Sequence, residues 1–415
     1  MEVSLSARLG SSSLVSIQAL RAIAALLVFL GHAINAVDLE VAADFPNSYG
    51  PFGVDLFFVI SGFVMVYSSE RLFGQPGAPI KFFARRLARI VPLYWAATAI
   101  LVWFDVPNAS TKAVLGSLFF VPHIPSEAPL LDVGWTLIFE MFFYAVFAIA
   151  LLAKRRFTVV AGATVFLISF VALGPGPSDA EFWYSPTSSS IAYLADPIII
   201  EFVFGMMIAL AYRAGFRLPM WGTISLIIVA IIWFAATIPW VPRPYSAGIV
   251  AALIVAGMSL SSMSSPKGSP FIRGVMFLGD ISYSLYLTHL LSFNFVDWIV
   301  ARMPDPVLHA ANLPSGVALV FGAMIAIGLA IAVGTYLMLE KPTTNVLKRL
   351  LERPRLPVNS ATKYSVVSHG LALGLNVIPQ RFWFPLDQLR LRERLSLCRF
   401  KSHFQESRRQ IGQRV

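Results

Sequence analysis

Long runs of apolar residues with few charges alternate with short polar segments along most of the chain. A run of about 20 apolar residues is the length that an α-helix needs to cross the hydrocarbon core of a bilayer. Ten runs, most of about this length, lie near 14–37, 51–68, 90–104, 134–152, 157–173, 191–212, 219–238, 246–263, 276–300 and 315–339. The pattern predicts an all-α polytopic membrane protein with about ten transmembrane helices. A weaker run at 113–122 is left open as a re-entrant or interfacial segment.

The composition agrees with a membrane protein. Hydrophobic residues make up 57% of the 415 residues and charged residues 13%, whereas a soluble domain has about 45–50% apolar and about 25% charged residues. The mean hydropathy is +0.72. These values exclude the soluble, disordered and collagen-like classes. The single cysteine, Cys398, excludes an intrachain disulfide and a cysteine-based metal site in the apolar body.

The net charge of +10 belongs to the last part of the chain. Residues 1–340 carry 17 Lys and Arg against 18 Asp and Glu, while residues 341–415 carry 15 against 4. We therefore predict a transmembrane domain over residues 14–342 and a basic cytoplasmic tail over residues 343–415. The tail is interpreted either as disordered or as lying on anionic lipid through a basic amphipathic stretch.

The distribution of basic residues between the loops predicts the orientation in the membrane. If the N-terminus is cytoplasmic, the inner segments carry thirteen Lys and Arg, and the outer segments carry only Lys112, Arg243 and Arg302. Cytoplasmic loops of membrane proteins are enriched in Lys and Arg. Both termini are therefore predicted to be cytoplasmic, with the first span retained rather than cleaved as a signal peptide.

Two ionisable residues of the first span, Arg21 and His32, point to a functional groove. A charged side chain inside a membrane is costly and usually marks a functional site. The two residues are eleven positions apart, which places them within roughly 20° of one helix face and about 16 Å apart along the axis. With the predicted orientation, Arg21 lies towards the cytoplasm and His32 towards the outside. A snorkelling arginine and a histidine that is only packed in the bundle are the structural alternative.

Two carboxylates are candidate partners for His32. Asp55 begins the second span at about the depth of His32, where it would fix the imidazole tautomer, or it is simply a carboxylate at a helix start. Glu140 lies roughly 9 Å below the outer end of the fourth span. It therefore needs a buried partner, for which His32 and Arg21 are the nearest groups by depth, or it is protonated.

Basic and hydroxyl side chains gather on the cytoplasmic half of the predicted bundle. The third inner loop supplies Arg85, Arg86 and Arg89 just before Pro92. Such clusters often only set topology, but guanidinium groups below Arg21 could also hold a polyphosphate by bidentate contacts. The ninth span carries a hydroxyl-rich face with Tyr283, and His289 lies farther along that span. That face is expected to point into the bundle, and whether His289 acts chemically or only packs is left open.

Motifs of other chemistries are missing. The sequence contains no G-x-S-x-G elbow, no H-E-x-x-H, no nucleotide-binding glycine loop and no cluster with metal-ligand spacing. A metal site is not expected. Only the basic tail could contact nucleic acid, and nucleic acid is not expected as a partner.

Several motifs in the same order resemble the membrane-bound acyltransferases of family 3, most closely the exopolysaccharide-production acetyltransferase branch. The resemblance covers about residues 14–342, and residues 343–415 match nothing in the family. It is carried by Ile17 to Ala25 with His32, the run Gly53 to Phe63, Arg85 to Arg89, Trp135-Thr136-Leu137 with Glu140 and Tyr144, Ile281 to Ser284 with Tyr286 and His289, and Glu340-Lys341-Pro342.

The resemblance implies an enzyme of the bacterial inner membrane that moves an acyl group from acyl-CoA to a carbohydrate hydroxyl. His32 is expected to be the catalytic base, with Asp55 or Glu140 orienting it, and Arg21 a cofactor-binding or structural contact. Acyl-CoA is a substrate, and no bound cofactor is expected. The expected substrate-binding residues are Arg21, Arg85, Arg86, Arg89, Ser61, Trp135, Tyr283 and His289.

Alternatives of other classes stay open from the sequence. The four residues Arg21, His32, Asp55 and Glu140 could form the proton relay of a proton-coupled transporter or of a sugar exporter, and a non-catalytic membrane scaffold is a third possibility. Within the enzyme reading, a covalent acyl-histidine intermediate is an alternative to direct transfer. The acyl group, the acceptor sugar and the oligomeric state are not specified.

Overall fold

The fold is known from a computed structural model that describes residues 11–37, 50–104, 109–122, 129–175, 189–237, 240–262, 269–304 and 314–351. These residues form helices and connecting turns, with one isolated bridge between Leu218 and Ser261 and no longer strand among them. The helices are α1 (Ser11–Ala36), α2 (Phe52–Ser68), α3 (Ala78–Phe104), α4 (Thr111–Leu118), α5 (Gly134–Ala150), α6 (Arg156–Leu173), α7 (Ser190–Leu194), α8 (Ile200–Arg213), α9 (Met220–Thr237), α10 (Arg243–Leu260), α11 (Pro270–Val300), α12 (Pro314–Thr335) and α13 (Lys341–Leu351).

The apolar runs of the sequence fall on these helices, which confirms the all-α polytopic fold. Eight helical segments are long and apolar enough to cross a membrane. The two other predicted spans fall on α2, which has 17 residues, and on α11, whose 31 residues include the polar Asp280 and Ser282. The orientation of the termini remains a prediction.

Three details of the helices differ from the sequence-based picture. The basic cluster around Arg86 lies inside α3 rather than in a loop, because α3 begins at Ala78 and continues through Pro92. The predicted span 191–212 is interrupted, since the short helix α7 is followed by a 3₁₀ turn at Pro197–Ile199 before α8. The weaker run 113–122 forms the short helix α4 and the turn after it.

Helical structure continues past the predicted boundary between residues 342 and 343. A π-helical turn, Tyr336–Glu340, joins α12 directly to α13, which crosses that boundary. Residues 352–415 lie outside the described residues. Helix α13 covers the first nine residues of the predicted tail, 343–351, and the assignment of residues 343–415 as a tail stays a prediction.

Close approach of backbones positions α2 in the centre of the bundle. A Cβ atom built on Gly205 of α8 would lie 2.0 Å from the carbonyl oxygen of Val59, and one built on Gly62 would lie 2.1 Å from that of Phe202. Gly53, at the start of α2, faces the backbone of Ala24 in α1 in the same way, at 2.3 Å. Small residues let transmembrane helices pack this closely. The contacts of α2 with α1 and α8 are thus set by glycine.

Substitution of Gly205 by alanine is expected to destabilise the folded protein, because the new methyl group would meet backbone atoms that cannot rotate away. Overpacking of this kind costs about 1–3 kcal/mol or more. The control is Gly162→Ala on α6, where a Cβ atom meets nothing within 4 Å. Melting temperature and monodisperse yield in detergent should fall for Gly205→Ala and stay at or above the wild-type values for Gly162→Ala. Equal values for both variants would contradict the α2–α8 packing.

Candidate active site

A cavity of about 100 Å³ lies between α1, α2, α3, α5 and α11. It has room for roughly three water molecules at about 30 Å³ each. Six of the predicted site residues line it: Arg21, Ser61, Arg86, Arg89, Glu140 and Tyr283. The structure thus brings together residues from five helices that are far apart in the sequence.

The carboxylate of Glu140 is held by two hydroxyl groups. Ser61 on α2 donates to Oε1 at 2.9 Å, and the hydroxyl of Tyr144, one helical turn after Glu140 on α5, donates to the same oxygen. Carboxylates in low-dielectric surroundings need such donors. Glu140 therefore finds its partners at the level of the arginines, and its expected contact with His32 is not among its hydrogen bonds.

The arginines of α3 differ in what they face. Arg86 donates to Ser68 Oγ at 2.7 Å, and its guanidinium lies 5.3 Å and 5.6 Å from the ring centroids of Phe82 and Tyr144. Arg89, three residues later and therefore on the same face, also lines the cavity, whereas Arg85 does not. Of the predicted cluster, Arg86 and Arg89 are the members placed to meet a ligand in this cavity.

Arg21 is only 9% exposed and is tied to α11. Its guanidinium donates to Gln18 Oε1 at 3.2 Å and to Ser282 Oγ at 2.9 Å. Gln18 donates in turn to Asp280 at 2.6 Å. Hydrogen bonds thus run from the cavity wall to the hydroxyl-rich half of α11, as expected from the sequence.

The side chains lining the cavity carry an excess of positive charge. Three guanidinium groups face it against the single carboxylate of Glu140. Two further acids, Asp280 and Glu340, act electrostatically on Arg21 from behind the cavity wall, and Glu340 accepts a hydrogen bond from Ser284 at 2.6 Å. Counting the lining alone, three cations face one carboxylate, and this local excess is suited to an anionic group.

His32 does not line this cavity. Its half-buried ring lies 5.1 Å from the ring of His289, centroid to centroid. Tyr286 connects this region to the cavity, since it lines the cavity and its ring lies 6.3 Å from that of His289. Asp132, just before α5, is the described acid that acts electrostatically on His32.

Asp55 is placed differently from its expected role beside His32. Its carboxylate is fully buried and forms an ion pair with Arg243 of α10 at 3.1 Å, in which both Nε and Nη2 of the arginine donate. Arg243 also donates to the carbonyl of Pro51 at 2.7 Å. A buried carboxylate is stabilised far more by a guanidinium than by a neutral imidazole. The expectation that Asp55 orients His32 is corrected on this ground.

The remaining predicted residues lie around the cavity. Tyr283 lines it and donates to the carbonyl of Ile90 at 2.9 Å. Trp135 packs between Phe58 and Phe139, at ring-centroid distances of 6.3 Å and 6.2 Å, and does not line the cavity.

Two polar contacts of the site were not predicted. Tyr144 follows Glu140 at the i+4 spacing of one helix face, a signal that was present in the sequence. Arg243 is 188 positions from Asp55, and no spacing rule connects the two. The pair could be found only from the packing of α2 against α10.

Comparison with known proteins gives a consistent picture. A family model described as an acyltransferase domain matches residues 14–336. The chain is 34% identical over 309 residues to the exopolysaccharide production protein ExoZ of Rhizobium meliloti (strain 1021), covering 71% of this chain and 89% of that protein. It is 25% identical over 383 residues to the acyltransferase MdmB of Streptomyces mycarofaciens, covering 84% of this chain and 95% of MdmB. No solved structure matches the chain.

The Asp55–Arg243 pair predicts non-additive effects on stability. Arg243→Gln alone leaves a buried carboxylate without its cation and should cost about 3–5 kcal/mol, whereas the double variant Asp55→Asn, Arg243→Gln should recover much of that loss. Thermal unfolding in detergent measures this. If Asp55 instead orients His32, Asp55→Asn should lower turnover per folded molecule without lowering stability, and the double variant should not recover.

Proposed function

Because the chain belongs to the acyltransferase family whose domain matches residues 14–336, we propose that it moves an acetyl group from acetyl-CoA to a hydroxyl of an exported polysaccharide or of its lipid-linked precursor. Family membership confirms the resemblance found in the motifs and makes the chain a multi-pass membrane enzyme that transfers acyl groups. The acceptor class is supported by the similarity to ExoZ, whose name links that protein to exopolysaccharide production. A donor made in the cytoplasm and an exported acceptor favour the bacterial inner membrane.

The observation that carries the donor proposal is the cationic cavity. Arg21, Arg86 and Arg89 meet there from α1 and α3. Guanidinium groups bind phosphate oxygens by paired hydrogen bonds, and acetyl-CoA carries several phosphates joined to a long flexible arm that ends in the thioester. Its nucleotide is much larger than the cavity of about 100 Å³, so we place a phosphate at the arginines and the nucleotide outside.

The arm of the donor would then reach from the arginines to His32. Arg21 and His32 are eleven residues apart on α1, which is about 16 Å by helical rise. In the proposed step, His32 removes the proton of the acceptor hydroxyl as its oxygen bonds to the thioester carbonyl carbon. The carbon–sulfur bond then breaks, and the thiolate of CoA takes the proton back from the imidazolium. General-base catalysis of this kind is typically worth about 10²–10⁴ in rate.

The remaining cavity residues have positioning roles in this proposal. Glu140 offsets part of the positive charge, and its hydrogen bonds to Ser61 and Tyr144 fix the carboxylate between α2 and α5. Tyr283 and the aromatic cluster around Trp135 support the walls. The proton relay that a transporter would need is not favoured, because Asp55 is bound to Arg243 and Glu140 to two hydroxyls.

Replacement of His32 by alanine is expected to lower transfer at least about 100-fold. Inverted vesicles from cells that make the exopolysaccharide are given radiolabelled acetyl-CoA, and label on the polysaccharide is normalised to folded membrane protein. A transporter or scaffold would leave no label in the wild-type vesicles either. If vesicles with His32→Ala still place more than about a tenth of the wild-type label on the polysaccharide, His32 is not the base.

The donor site is tested by separating the two Michaelis constants. Arg86→Ala and Arg89→Ala should raise the KM for acetyl-CoA at least about tenfold and change that for the acceptor little, and lysine should restore only part of the affinity because it lacks the planar fork. The matched control is Arg156→Ala, which removes an arginine paired with Glu70 at 3.1 Å outside the cavity. An unchanged donor KM in both α3 variants would place the nucleotide elsewhere.

A further inference from the structure

His289 lies in the interior of the bundle, and its two ring nitrogens differ in their hydrogen bonding. The side chain is fully buried. Its Nδ1 lies 3.1 Å from the carbonyl oxygen of Leu285, one turn earlier on α11. A carbonyl oxygen only accepts hydrogen bonds, so Nδ1 carries the hydrogen of the neutral ring and Nε2 presents its lone pair.

Among the residues that the structure describes, none forms a hydrogen bond with the lone pair of Nε2. Leaving a buried acceptor unpaired is unfavourable, which makes the arrangement unusual for a side chain that serves packing alone. A donor therefore has to be sought among the neighbours of the ring.

Among the aromatic rings that lie near His289, that of His32 is the one able to donate. The rings of Phe29 and Phe293 lie 6.1 Å and 5.7 Å from His289 and have no polar hydrogen. Tyr286 has its hydroxyl at Thr136, 2.7 Å away, and at the carbonyl of Val133. The ring of His32 lies 5.1 Å from His289 with its plane tilted by 43°, and it carries an N–H group.

The separation of the two histidines matches a direct hydrogen bond. Two imidazole rings joined by an N–H···N bond of about 2.9 Å have their centroids roughly 5 Å apart. The two rings are close enough for this bond, but the His32 ring is not oriented for it. Rotation of the His32 ring about its last side-chain torsion supplies it, because that torsion is broad for histidine.

We infer that His289 is a positioning residue whose Nε2 accepts a hydrogen bond from an N–H of His32 during acyl transfer. This inference rests on the proposed function, in which His32 is the base. The bond fixes which nitrogen of His32 is protonated, so that the other nitrogen faces the acceptor hydroxyl with its lone pair free. The same bond stabilises the imidazolium once His32 has taken the proton.

The proton leaves the acceptor substrate and ends on the donor substrate. The oxygen–hydrogen bond of the acceptor breaks as a nitrogen–hydrogen bond forms on His32, and the oxygen–carbon bond to the acyl group forms as the carbon–sulfur bond breaks. The proton then passes from His32 to the sulfur of CoA. His289 stays neutral throughout and exchanges no proton with solvent.

The test compares two polar replacements of His289. In His289→Gln the amide oxygen reaches the place of Nε2 and can still accept from His32, whereas in His289→Asn the amide lies near the place of Nδ1 and leaves nothing facing His32. Ser292→Ala on the next turn is the control for local packing, because Ser292 is also fully buried and donates only to the backbone of His289.

We expect His289→Asn to lower kcat at least about tenfold, with both KM values within about twofold of wild type and an unchanged melting temperature. His289→Gln should retain most of kcat, and Ser292→Ala should match the wild type. The double variant His32→Ala, His289→Asn should be no slower than His32→Ala alone, because the two residues act as one unit.

The outcomes separate this inference from the proposed function. If His32→Ala is inactive but the asparagine and glutamine variants both turn over like the wild type, the pairing of the histidines is wrong and the proposed base stands. If both variants lose activity equally together with melting temperature, His289 only packs, which also overturns the inference. If His32→Ala keeps its activity, the proposed base itself is wrong.

Discussion

Every charged group inside the bundle has to find its partner within the protein, because the hydrocarbon around it offers none. Three of the described charged residues meet this constraint in separate ways. Arg21 is hydrogen-bonded to Gln18 and Ser282, Asp55 is paired with Arg243, and Glu140 accepts from Ser61 and Tyr144. Each of these contacts joins different helices or fixes a side chain between them. The polar network is therefore also what determines how the helices stand around the cavity.

Glycine sets how closely the central helices pack. The central helix α2 approaches α1 and α8 so closely at Gly53, Gly62 and Gly205 that added methyl groups would overlap backbone atoms. At the position next to Gly62, the side chain of Ser61 donates to the carboxylate of Glu140 on α5. Packing and chemistry are linked here at neighbouring positions, since Ser61 and Gly62 face the cavity and α8 respectively.

The sequence predicted the fold well where a single physical signal dominates. The length of the apolar runs located the spans. The start of α3 was missed because its first part carries the arginines. The interruption before α8 coincides with Asp196-Pro197, a turn signal inside an apolar run. Six of the predicted site residues line one cavity: Arg21, Ser61, Arg86, Arg89, Glu140 and Tyr283. The partner of Asp55 was beyond prediction, because depth in the membrane ranks His32 and Arg243 equally and only helix packing decides between them.

The pairing of Asp55 with Arg243 also has a consequence for biogenesis. The two residues are 188 positions apart, so at a synthesis rate of about 5–20 residues per second the ribosome makes Arg243 roughly 10–40 s after Asp55. Through that interval α2 has its buried carboxyl group but not the cation that neutralises it. Until Arg243 is made, the carboxyl group of Asp55 lacks the guanidinium with which it pairs in the folded protein. The Asp55–Arg243 pair therefore forms late in assembly, after synthesis has reached the last third of the membrane domain. The final packing of α2 against α10 forms with it.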